Sequence, residues 1–116
     1  MLSKGHAYEK IAEQYLSHKG YQTKARNYHS RRGEIDLVMQ KNNTIVFVEV
    51  RYRKSDVYGS AEASITKSKQ AKIIFSAKHY MTKFMIWNMN ARFDVITIKP
   101  NSSNQLEINW LKNAFN

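Results

Sequence analysis

Cysteine is missing from all 116 residues, which excludes disulfides and thiolate metal sites together. Acidic residues are scarce: nine Asp and Glu stand against nineteen Lys and Arg, a formal net charge of +10. No apolar run approaches the roughly 20 residues needed to span a bilayer. The start of the chain also has no apolar stretch of signal-peptide type. No membrane association is therefore expected, and a cytoplasmic location follows by default. Repeats, low-complexity tracts and linker-like stretches are lacking too, so residues 1–116 read as a single domain. What is there is an ordinary globular composition, 42% hydrophobic and 24% charged. The positive excess favours a polyanionic partner, nucleic acid being the usual one, although charge that only aids solubility is the plainer alternative.

Hydrophobic spacing predicts an α/β protein built on one mixed sheet flanked by helices. A helix is expected over about Lys4–Lys19, where Ala7/Tyr8, Ile11/Ala12 and Tyr15/Leu16 form a stripe, with Ser3 as N-cap and Gly20 as the stop. Tyr21–Asn27 alternates weakly as a first strand, and Tyr28–Arg32 is a basic loop. Two clear strands follow, Gly33–Gln40 and Thr44–Arg53. Lys54–Ser60 reads as a mobile loop. Thr66 caps a second helix to about Met81, with Ile73/Ile74, Ala77 and Met81 inward and Lys67, Lys69, Lys72 and Lys78 on a basic side. Arg92–Lys99 is another strand, Leu106–Trp110 a short strand or extended segment, and Leu111–Phe115 a helical turn docking Phe115, an αβββαβ order with an extra C-terminal β element.

The two clear strands carry the chemistry. Asn42-Asn43 tolerates the positive φ of a tight turn, which pairs Lys41 with Thr44. Counting back from there sets Leu37 against Val48, Asp36 against Glu49 and Ile35 against Val50. Pairs 35/50, 37/48 and 39/46 form one apolar face; on the other, 34/51 is Glu/Arg and 36/49 is Asp/Glu. Directly opposite side chains have Cβ atoms roughly 4.5–5.5 Å apart, and like charges there are destabilising. A cation between the carboxylates removes that cost. Mg²⁺ or Mn²⁺ suits hard oxygen ligands of this kind, with the Val50 carbonyl as a further oxygen. The plain alternative is a surface charge ladder worth about 0–1 kcal/mol per pair, which leaves the opposed acids unexplained.

Glu9, at the border of the helical stripe, is placed to lean towards the sheet, but alone it reads as a solvated helix residue, as does Lys69. Arg26, Arg31, Arg32, Arg51, Arg53 and Lys54 cluster around the ends of the acid-bearing strands, interleaved with Tyr28, Tyr52 and Tyr58. Arginines grip phosphates bidentately and aromatic rings stack on unpaired bases, so this group is the candidate nucleic-acid surface. Trp87 and Trp110 are candidate protein-contact surfaces should the protein bind no DNA.

The blocks Gly5-x-x-x-Glu9-x-x-Ala12-x-x-Tyr15-Leu16-x-x-x-Gly20-Tyr21, Arg26-Asn27, Gly33-Glu34-Ile35-Asp36-Leu37 and Val46-Phe47-Val48-Glu49-Val50-Arg51 closely resemble the YraN-type family of small, largely uncharacterised bacterial proteins. The similarity continues through Thr66-x-x-Lys69, Arg92-Phe93-Asp94-Val95 and Asn113-Ala114-Phe115. That family looks like part of the restriction-endonuclease-like superfamily, related to Holliday-junction resolvases and RecB-type nucleases. The resemblance implies an αβββαβ core and a Mg²⁺- or Mn²⁺-dependent nuclease acting on DNA rather than RNA. An acid on the first helix, an Asp on one strand and Glu-x-Lys on the next carry over as Glu9, Asp36 and Glu49-Val50-Arg51. Asp36 and Glu49 would hold the metal, Glu9 completing the site directly or through water. Arg26, Arg31, Arg32, Arg53, Lys54 and Lys69 would meet the DNA, and a homodimer would match the resolvases. Arg51 stands where the pattern usually has Lys. It keeps the charge and can hold a phosphate, but with a pKa above roughly 12 it cannot act as a base. A non-catalytic nucleic-acid-binding or adaptor protein on the same scaffold is the alternative.

Overall fold

A computed structural model describes residues 4–54 and 65–116, with side chains from His6 onward. Ser3, expected as a helix cap, and residues 55–60 of the expected loop, Tyr58 among them, lie outside the described residues. The elements are α1 (Lys4–His18), β1 (Gln22–Ser30), β2 (Gly33–Lys41), β3 (Thr44–Tyr52), α2 (Lys67–Lys83), β4 (Asn90–Pro100) and β5 (Leu106–Phe115). This is the expected αβββαβ order with one further strand.

Local sequence explains the boundaries. Gly20 takes φ +94°, Tyr21 N–H reaches back to Leu16 O at 3.1 Å, and Gly20 N–H to Ser17 O at 3.0 Å. Those two bonds are the Schellman closure of a helix, and both Leu16 and Tyr21 enter the core beside it. Thr66 caps α2 by accepting from Lys69 N–H at 3.1 Å. Between β2 and β3, Asn42 takes the positive φ of 54° that the tight turn requires.

The strands lie in the order β1-β2-β3-β4-β5, antiparallel throughout except for the parallel pair β3–β4, which α2 separates in sequence. Each face of the sheet is covered by one helix. Ala12 and Leu16 of α1 pack on Leu37, Met39, Val46, Val48, Ile96 and Ile98. Ile73, Ala77, Tyr80 and Met81 of α2 pack on Val38, Ile45 and Phe47. The inward stripe of α2 runs through Ser76 and Tyr80, with Ile74 only half-buried. Central strands covered on both sides become continuous apolar runs, as in Ile45–Val48. No helix of the described residues is long and apolar enough to cross a membrane.

Three expectations are corrected. Leu111–Phe115 is not a helical turn: β5 continues to Phe115, and two extra residues bulge out between the pairs Val95–Leu111 and Phe93–Phe115. The docking itself is as expected, with the Phe115 ring stacked 5.2 Å from Phe93. Trp110 is not a free contact surface; it packs edge-on against Tyr15 and Tyr21 and donates to Asp94 at 2.8 Å. Ile35 does not share a face with Leu37 and Val50. It is buried in the α2 cluster, whereas Val50 packs on the α1 side. The cause of that switch is local to the acids.

Candidate active site

The β2–β3 ladder runs in the register read from the turn, Lys41–Thr44 through Leu37–Val48, and stops there. Asp36 is likewise skipped in the ladder to β1, which pairs Arg26 with Leu37 and Tyr28 with Ile35. Opposite it, Asn27 sits at φ 48°, a left-handed conformation that Asn adopts more readily than most residues. This shared kink turns Ile35 to the α2 side and frees the Asp36 carboxylate from the regular pleat. Its Oδ2 accepts the Val50 N–H at 2.9 Å, taking the place of the next ladder bond. Val50, whose carbonyl was the expected ligand, is thus fixed in the site by its N–H. The expected Glu34–Arg51 pairing does not form: Glu34 lies 3.4 Å from His29 Nδ1, and Arg51 turns to Glu49.

Asp36 and Glu49 are both buried, 8% and 7% exposed, and lie close enough for each carboxyl to act on the other. Burial, and secondly the charge of Asp36, push the Glu49 carboxyl up to about 7. Burial also raises Asp36, against the opposing pull of the Val50 N–H. The charge of Lys69 on α2 lowers both. Arg51 approaches Glu49 Oε1 at 3.6 Å, too far for a hydrogen bond. Its Nε is buried with no hydrogen-bond partner among the described residues.

Glu9 comes to the edge of this site from α1. Its Oε1 accepts from Asn27 Nδ2 at 2.7 Å, and burial raises its pKa, with Asp36 adding to the effect. Asn27 was not singled out as a functional residue; its position beside Arg26 in a family-like block was the available signal. Glu9 and Asn27 line a cleft of about 340 Å³ between α1 and the sheet. Among the described residues, no three Asp, Glu or His side chains are drawn together tightly enough to hold a metal ion. The close pair is Asp36 and Glu49, with Glu9 tethered to Asn27 at its margin.

Asp94 supplies the internal comparison. It is fully buried, yet Arg92 grips it at 2.9 and 3.0 Å, Trp110 Nε1 donates at 2.8 Å and Asn113 N–H at 2.9 Å. That carboxylate is satisfied by the fold. The Asp36–Glu49 pair has one hydrogen-bond donor among the described residues, the Val50 N–H. Its donor set, two hard carboxylate oxygen groups beside a guanidinium nitrogen with no hydrogen bond among the described residues, fits a divalent cation.

The basic candidates separate. Arg26 forms a two-pronged pair with Glu13 at 2.9 and 2.6 Å, holding α1 to β1 and keeping the Glu13 carboxyl below its usual range. Arg31 and Arg32 lie over the Phe75 ring of α2. Arg53 continues from β3 with its N–H on Ile98 O at 2.9 Å, and Lys54 is exposed beyond it.

A model of UPF0102, described as an uncharacterised protein family, matches residues 8–98. A UPF0102 protein of Saccharophagus degradans is 48% identical over 108 residues, covering 92% of this chain and 87% of its own. Similar proteins of Legionella pneumophila and Aeromonas hydrophila are 46% and 44% identical, each over 97% of this chain and over 93% and 85% of their own lengths.

Proposed function

The chain belongs to the UPF0102 family, and we propose that it is a divalent-metal-dependent nuclease that hydrolyses DNA phosphodiester bonds. One observation supports this above the rest: two carboxylates buried beside each other with a single backbone N–H donor between them among the described residues, in a sheet whose other buried carboxylate is fully bonded. Asp36 and Glu49, once both are ionised, hold the cation. A cation held there would supply Lewis-acid stabilisation of the phosphate and lower the pKa of a water. Asp36 is fixed for the task by the Val50 N–H, and Glu9 is kept in reach by Asn27. Arg51 offers its unpartnered Nε to a phosphate oxygen where charge develops. Lys69, whose charge acts on both acids, supplies the ammonium that the Glu-x-Arg motif lacks and orients water or phosphate. The same reading puts the protein in the cytoplasm with DNA, acting as a homodimer on branched or repair intermediates.

Asp36→Ala is the test. With Mn²⁺ and a panel of branched and flapped DNAs, the wild type cuts and the variant does not, while the variant still folds and its DNA affinity stays close to wild type. Undiminished cleavage by Asp36→Ala would overturn the assignment. Arg51 itself favours a second reading, a nucleic-acid-binding or adaptor protein on the same scaffold. That protein would bind DNA in a salt-sensitive way with EDTA present and cut none of the panel.

A further inference from the structure

The tip of the β1–β2 hairpin carries Arg31 and Arg32, both exposed, and both guanidinium groups lie over one ring, Phe75 of α2, at 5.5 and 4.9 Å from its centroid. Gly33 allows the close approach, since a Cβ there would come within 3.2 Å of Lys72 Cβ. The Ser30 and Ser76 hydroxyls join at 2.7 Å across the same junction. Together they shape a groove of about 400 Å³ lined by Arg32, Ser68, Ala71, Lys72 and Phe75. No acidic side chain among the described residues forms an ion pair with Arg31, Arg32 or Lys72. Like charges gathered without a counter-ion repel, so the fold places here a cost that an anion removes. Guanidinium planes settled on a ring are also pre-organised for two-pronged phosphate contacts.

Resting on the nuclease reading above, we propose that Arg31, Arg32 and Lys72 form a phosphate clamp gripping the backbone of the strand to be cut. Phe75 acts as the positioning residue for the two arginines. The clamp lies along α2 from the carboxylate site: Lys69, whose charge acts on the acids, and Phe75 are six residues apart on that helix. Six residues rise roughly 9 Å. The gripped phosphate therefore lies within a few nucleotides of the scissile bond.

The test is fluorescence anisotropy of a labelled DNA duplex against salt, with EDTA present so that nothing is cut. Each phosphate contact on B-DNA contributes about 0.9 to the slope of log affinity against log salt. Arg31→Ala/Arg32→Ala is expected to flatten that slope by about 1.8 and to weaken binding at least tenfold at low salt. Arg31→Lys/Arg32→Lys should keep the slope, because it keeps the charges. Phe75→Leu should weaken binding a few-fold through the lost ring contact, with an unchanged unfolding midpoint. Lys24→Ala, on the exposed side of β1, controls for general loss of charge and should have the smaller effect. An alanine pair that binds like wild type, or no worse than Lys24→Ala, overturns the clamp and leaves the nuclease reading standing. A wild type that binds no duplex at low salt overturns the clamp as well, whereas undiminished cutting by Asp36→Ala overturns the nuclease reading alone.

Discussion

Asp36, Glu49 and Asp94 are buried acids of one sheet, and the chain treats them in two ways. Asp94 is closed off by four donors and works for the fold, tying β4 to β5. Asp36 and Glu49 are left with one backbone donor, and among the described residues Arg51 Nε beside them has no hydrogen bond. The sign of the pH dependence follows. Glu49 has a folded pKa of about 7 against an ordinary 4.5, so the folded state binds protons more tightly than the unfolded chain. Its contribution to stability is complete below the ordinary value and is lost as pH rises through about 7. Without metal, thermal unfolding should therefore occur at lower temperature at about pH 8 than at about pH 5. Glu49→Gln, which copies the protonated form, should be less sensitive across that window and more stable than wild type at its upper end. Differential scanning calorimetry at both pH values checks this; a wild type that gains stability towards pH 8 contradicts it. The opposition of Asp36 and Glu49 was legible because a two-residue turn fixes every later pair. The closure of Asp94 was not, since its partners come from Arg92, Trp110 and Asn113, and no local spacing announces a carboxylate that fills a bulge.

Regular strands are readable from alternation; irregular ones need a tertiary partner to explain them. The β2–β3 hairpin came straight from the Asn-Asn turn and two apolar runs, and α1 from its stripe and Gly20. The face switch at Asn27 and Asp36 was hidden, because Ile35 obeys alternation in sequence and breaks it only when Asp36 replaces a ladder bond with its side chain. The end of β5 was hidden in the same way: Asn113 at φ 54° makes room for the bulge, and Asp94 holds it. At the level of β1, Asn27 does two jobs, supplying a left-handed backbone and holding Glu9. Asn27→Gly should preserve the backbone and so change stability little while reducing metal-dependent cleavage. Asn27→Val, β-branched at positive φ, should cost at least about 1–2 kcal/mol in urea unfolding. Equal stability of the two variants would show that the kink does not depend on residue 27.

Across the whole molecule, charge and topology converge on one region. A net charge of +10 pointed to a polyanion from composition alone. The fold then divides the candidate cations by face, committing Arg26 to Glu13 near α1 while Arg31, Arg32 and Lys69 gather towards α2. That division could not be read from the sequence, where Arg26, Arg31 and Arg32 look alike. The acids sit where the β2–β3 ladder stops, so catalysis and DNA contact would both depend on the same break in the sheet. The most direct measurement is calorimetric titration of Mn²⁺ into wild type and into an Asp36→Asn/Glu49→Gln variant at about pH 8 and about pH 6. The expected result is one site in the wild type, weaker at the lower pH because Glu49, raised to about 7, must lose its proton to bind the cation, and absent in the variant. Equal binding by both proteins, or none by the wild type, would contradict a cation site between Asp36 and Glu49.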